Sequence, residues 1–259
     1  MFERYDVEKM PGHWLLARMG KRVLRPGGRE LTAKMIDALS ITPDDIVVEF
    51  APGIGSTAQL IFTRKPKNYT GIDQNEEAVK HLASLSANIN YSFINENITS
   101  SGLPSNSATV VVGEAVLTMQ REERKEDIIV EAHRLLQSGG RYALHEIALR
   151  PDDIQDGLKD DIQRELSQEI HVNARPLTTH EWTFLLNKCG FGVKKILTNP
   201  MHLLKLSRIV RDEGVRGAAR IGFNVVTTRH AFKRMIGMRN VFNKYEHHMS
   251  AISIIAVKE

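Results

Sequence analysis

The chain has 259 residues, a single cysteine and a formal net charge of +4. That length carries a sizeable core, and an α/β fold of this size is commonly one domain. One thiol excludes an internal disulfide framework. The charged opening MFERYDVEKMPGHW lacks the apolar stretch expected of a secretory signal, and no apolar run reaches the roughly eighteen residues of a membrane span. The expected compartment is the reducing cytoplasm.

In chain order, residues 1–30 combine Trp14, Leu15 and Leu16 with Lys21, Arg22, Arg25 and Arg29, and Pro26-Gly27-Gly28 marks a turn. A helix is predicted near 30–40. Ile46 to Phe50 then reads as a parallel strand buried on both faces, interrupted only by Glu49. Gly53 and Gly55 let the backbone approach a ligand without Cβ interference. Ser56 or Thr57 can cap a helix near 56–65, whose free N–H groups point at that ligand. Strands near 68–73, 90–95, 108–113, 141–147, 191–198 and 250–257 follow, with helices near 75–86, 121–136, 155–170 and 180–188. Such alternation predicts a parallel sheet with crossovers. Gly139-Gly140 is expected to end the helix near 121–136, and Thr178 or Thr179 to cap the one near 180–188. Cys189 before Gly190 reads as packing.

Ligands of an open α/β sheet bind beyond the carboxyl ends of its strands. The first five predicted strands run out into Glu49, Asp73, Asn95 to Asn97, Glu114 and His145-Glu146. Any one could be a solvated terminus; five in succession imply a polar, acceptor-rich cleft, which suits a cation. Glu49 beside the glycine turn fits a ligand carrying an ammonium and a sulfonium, and would repel a pyrophosphate. The competing dinucleotide pattern is also met by Gly53, Gly55 and Ala58, with Asp73 twenty residues after Gly53. An NAD(P)-dependent oxidoreductase therefore stays open on spacing alone.

With VVEFAPGIGS, YTGIDQN, NENITSSGLPSNSATVVVGEAVL, HRLLQSGGRYALHEI and LLNKCGFGVKKI in this order, the chain resembles the class I S-adenosylmethionine-dependent methyltransferases. The likeness is to the small-molecule subgroup that includes the ubiquinone and sterol enzymes. It covers roughly residues 40–200 and the final strand. It implies a Rossmann-like, seven-stranded, mostly parallel sheet with helices on both faces, an antiparallel last strand and helical lid insertions. Glu49, Ala51, Gly53, Gly55 and Glu114 are then expected at the donor. Asp73 takes the ribose hydroxyls, Gln74 packs on the adenine, and Asn97 with Ile98 meets the adenine edge, Glu96 being the rival of Asn97. Ala51 stands where the family has a glycine, which is tolerable if the backbone there keeps a negative φ. The cofactor implied is S-adenosyl-L-methionine, leaving as S-adenosyl-L-homocysteine.

The sulfonium is already activated, so positioning of the acceptor supplies most of the rate, and a base helps only when the acceptor loses a proton. His145 and Glu146 are candidates for that base, expected to face the same mouth as Glu49; Glu114 orients donor or substrate. The single domain expected over residues 1–259 places specificity outside the 40–200 core. Residues 1–30 form an amphipathic helix on the sheet, or a lid presenting His13 and Trp14. An insertion at 151–176 ends near His171 and Arg175. A segment at 201–246 carries ten bases against three acids, about +7, on two or three amphipathic helices.

That segment reads as a lid with a solvated basic face, or as a site for an anionic substrate, a nucleic acid or lipid headgroups. Methyl transfer to an O, N, S or C atom of a small anionic molecule is the reading carried forward. An RNA methyltransferase and a non-catalytic S-adenosylmethionine sensor are the alternatives. No metal is expected, since His247 and His248 are sequence neighbours, and oligomeric state is left open.

Overall fold

A computed structural model describes residues 6–84 and 88–259. The start of the expected leader (1–5) and the end of the helix expected over 75–86 lie outside those residues. Before the sheet come α1 (Gly12–Arg18) and α2 (Gly28–Leu39). The alternating part runs β1 (Ile46–Phe50), α3 (Ser56–Phe62), β2 (Asn68–Ile72), α4 (Glu76–Ala83), β3 (Tyr91–Ile94), β4 (Ala108–Glu114), α5 (Glu122–Leu135) and β5 (Leu136–Leu149). Then follow α6 (Asp156–Ile170), the two-residue β6 (Leu177–Thr178), α7 (Thr179–Lys188) and β7 (Phe191–Pro200). The chain closes with α8 (Leu206–Thr227), α9 (Ala231–Lys244), a 3-10 turn and β8 (Met249–Lys258).

The strand order is β3-β2-β1-β4-β5-β8-β7, with β6 paired to β5 off that path. Neighbours from β3 to β5 pair in parallel, while β8 is antiparallel to both β5 and β7. The central strands are β-branched and buried on both faces, Val47 and Val48 in β1 and Val110 to Val112 in β4. One face packs Phe50, Ile128, Leu144 and Trp182 under α5 and α7; the other packs Met35, Ile61 and Tyr69 under α2 and α3. A further core lies outside the layered sheet. It joins Leu15 of α1, its C-cap Met19 and Leu166 of α6 with Ile221 of α8, Met238 and Phe242 of α9, and Ile147 and Leu149 at the end of β5. The insertions thus cover the carboxyl end of the sheet. The order reverses between β1 and β4, which opens the ligand crevice of such sheets there.

Local signals were partly overridden. Thr178 caps α7 in a full capping box with Glu181. Neither Ser56 nor Thr57 caps α3: Gly55, in a left-handed conformation, takes that place. The Ser56 hydroxyl instead donates to the Arg22 carbonyl at 2.8 Å, and that of Thr57 to Glu114. Gly139-Gly140 does not end α5, which stops at Leu135. Gly139 (φ 75°) turns the irregular start of β5. α8 is broken at Gly214 (φ 74°, ψ 169°), so the basic segment forms helices as expected. Among the described residues no helix is long and apolar enough to cross a membrane.

Candidate active site

Adjacent strand ends bring the predicted acids together, each with a different local chemistry. Glu49, last but one in β1, has 1 % of its surface exposed, and its Oε2 accepts a 2.7 Å hydrogen bond from the Tyr69 hydroxyl. Burial pushes its pKa up to about 8, against the pull of that bond. The carboxyl is therefore mainly protonated at neutral pH and not the standing anion expected from sequence. A cation beside it would ionise it.

Asp73 follows β2 and accepts the N–H groups of Gly53 (3.0 Å) and Asn75 (2.9 Å); burial raises its pKa against both bonds. The glycine loop is thereby tied to the second strand. Ala51 turns that loop at φ 51°, so the premise that alanine there keeps a negative φ is overturned. Its N–H donates to the Ile72 carbonyl at 2.8 Å, and the sharp turn brings Gly53 to Asp73. Ala115, after β4, is also left-handed at φ 55°.

Glu114 is the hub of a buried network. Arg25 Nη1 lies 3.1 Å from its Oε2, His145 Nδ1 lies 2.5 Å from its Oε1, and the hydroxyls of Thr32 and Thr57 donate to it. Burial alone would raise its pKa; Arg25 and then His145 outweigh that and bring it down to about 2. His145 Nε2 lies 2.7 Å from the Pro26 carbonyl. Both ring nitrogens thus face oxygen atoms, which leaves neither free to meet a ligand. Glu146 accepts the N–H groups of Val116 (2.9 Å), Leu117 (2.7 Å) and Thr118 (2.9 Å), and so fixes the loop after β4. Burial raises its pKa against those bonds.

One cavity of about 220 Å³ runs from these groups to the lids. Glu49, Ala51, Gly53, Asp73 and Glu114 line its sheet end, and Glu146 lines its wall. Trp14, Leu16, Met201, Leu203, Met238 and Phe242 make the far end apolar. His13 lines it too, and burial pushes its pKa down to about 4, so its ring is neutral at physiological pH. Arg22 and Arg25 are its cationic lining.

Other predicted residues do not line this space. His145 is sealed behind Glu114, so of the β5 pair only Glu146 faces the mouth with Glu49. Gly55 caps α3, Gln74 is exposed, and Ile98 is buried in the core. The Asn97 side-chain oxygen already accepts from Thr99 N–H (3.1 Å) and Arg124 Nη2 (3.2 Å). His171 is the exposed C-cap of α6, and Arg175 is exposed and bonded to Asn173 and Gln163. Met201, Met238 and Phe242 were missed as lining residues because apolar residues at helical spacing signal only burial. Among the described residues, no group of three or more His, Cys, Asp or Glu side chains is placed to hold a metal.

Residues 48–144, from β1 into β5, match the family described as a methyltransferase domain. The chain belongs to the class I S-adenosylmethionine-dependent methyltransferases. An uncharacterized protein of Haemophilus influenzae is 32 % identical to this methyltransferase over 256 residues, covering 95 % of this chain and 98 % of the relative. Solved structures share the fold at lower identity. The cyclopropane synthase MmaA2 of Mycobacterium tuberculosis superposes over 100 % of both chains (TM-score 0.73, 12 % identity). The [4+2]-cyclase SpnF matches at TM-score 0.72 and 16 % identity over 94 % of this chain and 92 % of its own. A phosphoethanolamine N-methyltransferase of Haemonchus contortus, in complex with S-adenosylhomocysteine, matches at 0.72 and 11 % over 99 % of this chain and 59 % of its own.

The donor of the methyltransferase is S-adenosylmethionine. The sheet end of the cavity fits it. Glu49, mainly neutral by itself near pH 7, is ionised by a cation beside it, and a Cβ built on Gly53 would meet only the Ala51 carbonyl, at 3.9 Å, so the loop is open on its ligand side.

Proposed function

We propose that the methyltransferase acts on a small acceptor with an apolar body and an anionic end. The continuity of one cavity from Glu49, Gly53 and Asp73 to Trp14, Met238 and Phe242 carries this reading. The donor supplies a methyl group already activated on sulfur. In this reading Glu49 faces its ammonium, Asp73 its ribose, and Gln74, Asn97 and Ile98 the adenine end outside the cavity. The apolar chamber holds the acceptor in line, and Arg22 meets its anionic end.

Positioning then supplies most of the rate. Glu114 and His145 are saturated by partners and act as positioning residues, holding Arg25 and the helices that carry Thr32 and Thr57. Glu146 holds the loop at Val116 to Thr118. The neutral His13 ring lines the chamber and can accept a hydrogen bond from the acceptor, which helps to orient it.

The test pairs isothermal titration of S-adenosylhomocysteine with transfer of labelled methyl to a panel of amphiphilic acids, NADPH serving as control nucleotide. Asp73→Ala should lose S-adenosylhomocysteine binding by about tenfold or more, in line with a lost buried hydrogen-bonding carboxylate. Met238→Trp, which fills the chamber, should keep that binding and lose turnover. Binding of NADPH alone, or turnover undiminished in Met238→Trp, would overturn the reading. The likeness to a [4+2]-cyclase makes turnover, and not binding, the decisive readout.

A further inference from the structure

We infer that the outer face of α8 and α9 docks the enzyme on an anionic lipid bilayer. Six of the ten large apolar side chains exposed among the described residues lie between Leu206 and Ile236. Beyond the break at Gly214, α8 turns Ile221 and Val225 inward. Val215, Phe223 and Val226 point the other way, 75 %, 69 % and 75 % exposed. A helix apolar on two opposite faces calls for cover on both. On α9, Met238 and Phe242 line the cavity, while Phe232 and Ile236, one turn apart, are exposed.

Charge names the cover. From Gly214 to Tyr245 the sequence has seven Lys and Arg and no Asp or Glu. Exposed Arg216 and Arg220 flank the α8 stripe, and exposed Lys233 and Arg239 flank the α9 pair. The two acids just before this stretch are turned inward: Asp212 accepts the Arg29 N–H, and Glu213 those of Arg22 and Val23. A second copy would set this basic face against its own charge. A nucleic acid could stack on Phe223 and Phe232 but would leave Val215, Val226 and Ile236, which neither stack nor hydrogen-bond, uncovered. A bilayer accepts both features, apolar side chains at the acyl boundary and arginines at the headgroup phosphates. Because α9 carries cavity-lining Met238 and Phe242 as well as exposed Phe232 and Ile236, docking would bring an amphiphilic acceptor to a helix of the chamber wall. In that respect the inference rests on the acceptor reading above; the docking itself does not.

The experiment is flotation of the full chain with vesicles of phosphatidylcholine, with and without phosphatidylglycerol. The wild type should float with the anionic vesicles only and be released by molar salt. Phe223→Asp with Val226→Asp, and separately Arg216→Glu with Arg220→Glu, should each lose binding by about tenfold or more. Both variants should keep wild-type S-adenosylhomocysteine affinity, since none of these residues lines the cavity; that titration also shows that they fold. Failure of the wild type to float, or retained flotation of the aspartate variant, would overturn the inference. So would a dimer in light scattering that the aspartate variant abolishes, or RNA binding lost only in the glutamate variant. Loss of S-adenosylhomocysteine binding by the wild type would instead strike the donor-site reading and leave the flotation result standing.

Discussion

With Glu49 at the ammonium of the donor, as proposed above, cofactor binding is coupled to pH, because burial, and not sequence position, sets the charge of this carboxyl. With its pKa raised from 4.5 to about 8, the folded chain keeps between those values a proton that the unfolded chain has lost. Stability from this group therefore falls as pH rises through that window, by at most about 1.4 kcal/mol per unit, and levels off above it. A cationic ligand binds the ionised form and expels the proton. S-adenosylhomocysteine affinity should rise by up to about tenfold from pH 6 to 7, with proton release seen by calorimetry in buffers of different ionisation enthalpy. Glu49→Gln should abolish both effects. Two residues on, Ala51 carries left-handed strain of about 1–2 kcal/mol that glycine would not. Glycine also loosens the unfolded chain by about 0.4–1 kcal/mol. Ala51→Gly should thus gain about 0.5–1 kcal/mol, a rise of about 1–4 °C in the thermal midpoint.

At the scale of elements, the strands were readable because their signals are local: β-branched runs for β1 and β4, glycine or an acid where they stop. The α7 cap was readable for the same reason, since Thr178 and Glu181 lie three residues apart. Thr178→Ala should cost about 1 kcal/mol in urea unfolding while leaving S-adenosylhomocysteine binding unchanged. The α3 cap was misread because the competitors of Ser56 and Thr57 are distant in sequence. Arg22 and Glu114 recruit both hydroxyls, 34 and 57 residues away. Likewise β5 alternates His145 and Glu146 as any strand must. Which of the two faces the cavity depended on α2 and the leader packing over one side of the sheet.

Across the whole molecule, the two ends of the chain are stapled together over the carboxyl end of the sheet. Arg234 Nη1 donates to the carbonyls of Val7 (2.8 Å), Glu8 (3.1 Å) and Met10 (3.1 Å), and its Nη2 to that of Met10 (3.2 Å). A lysine, with one nitrogen, cannot reproduce this fork. Arg234→Lys should leave donor affinity within twofold but speed proteolytic cleavage of the leader by about tenfold, followed by mass spectrometry. The charge separation has the same large-scale origin. A chain of net charge +4 concentrates its excess bases between Arg216 and Lys244, on helices that pack against α1 and α6 without acidic neighbours to cancel them all.

The order of strands and helices, and the placing of Glu49, Asp73 and Glu114 at the carboxyl ends of neighbouring strands, followed from residues close together in the chain. Periodicity and turn chemistry act over that range. The ionisation of those acids, the sealing of His145 and the making of the apolar chamber did not. Each depends on partners brought together by packing: Pro26 with His145, Glu213 with Arg22, Val7 with Arg234, separated by 119, 191 and 227 residues. Desolvation and long-range hydrogen bonds exist only once those pairs meet, and no local pattern encodes them.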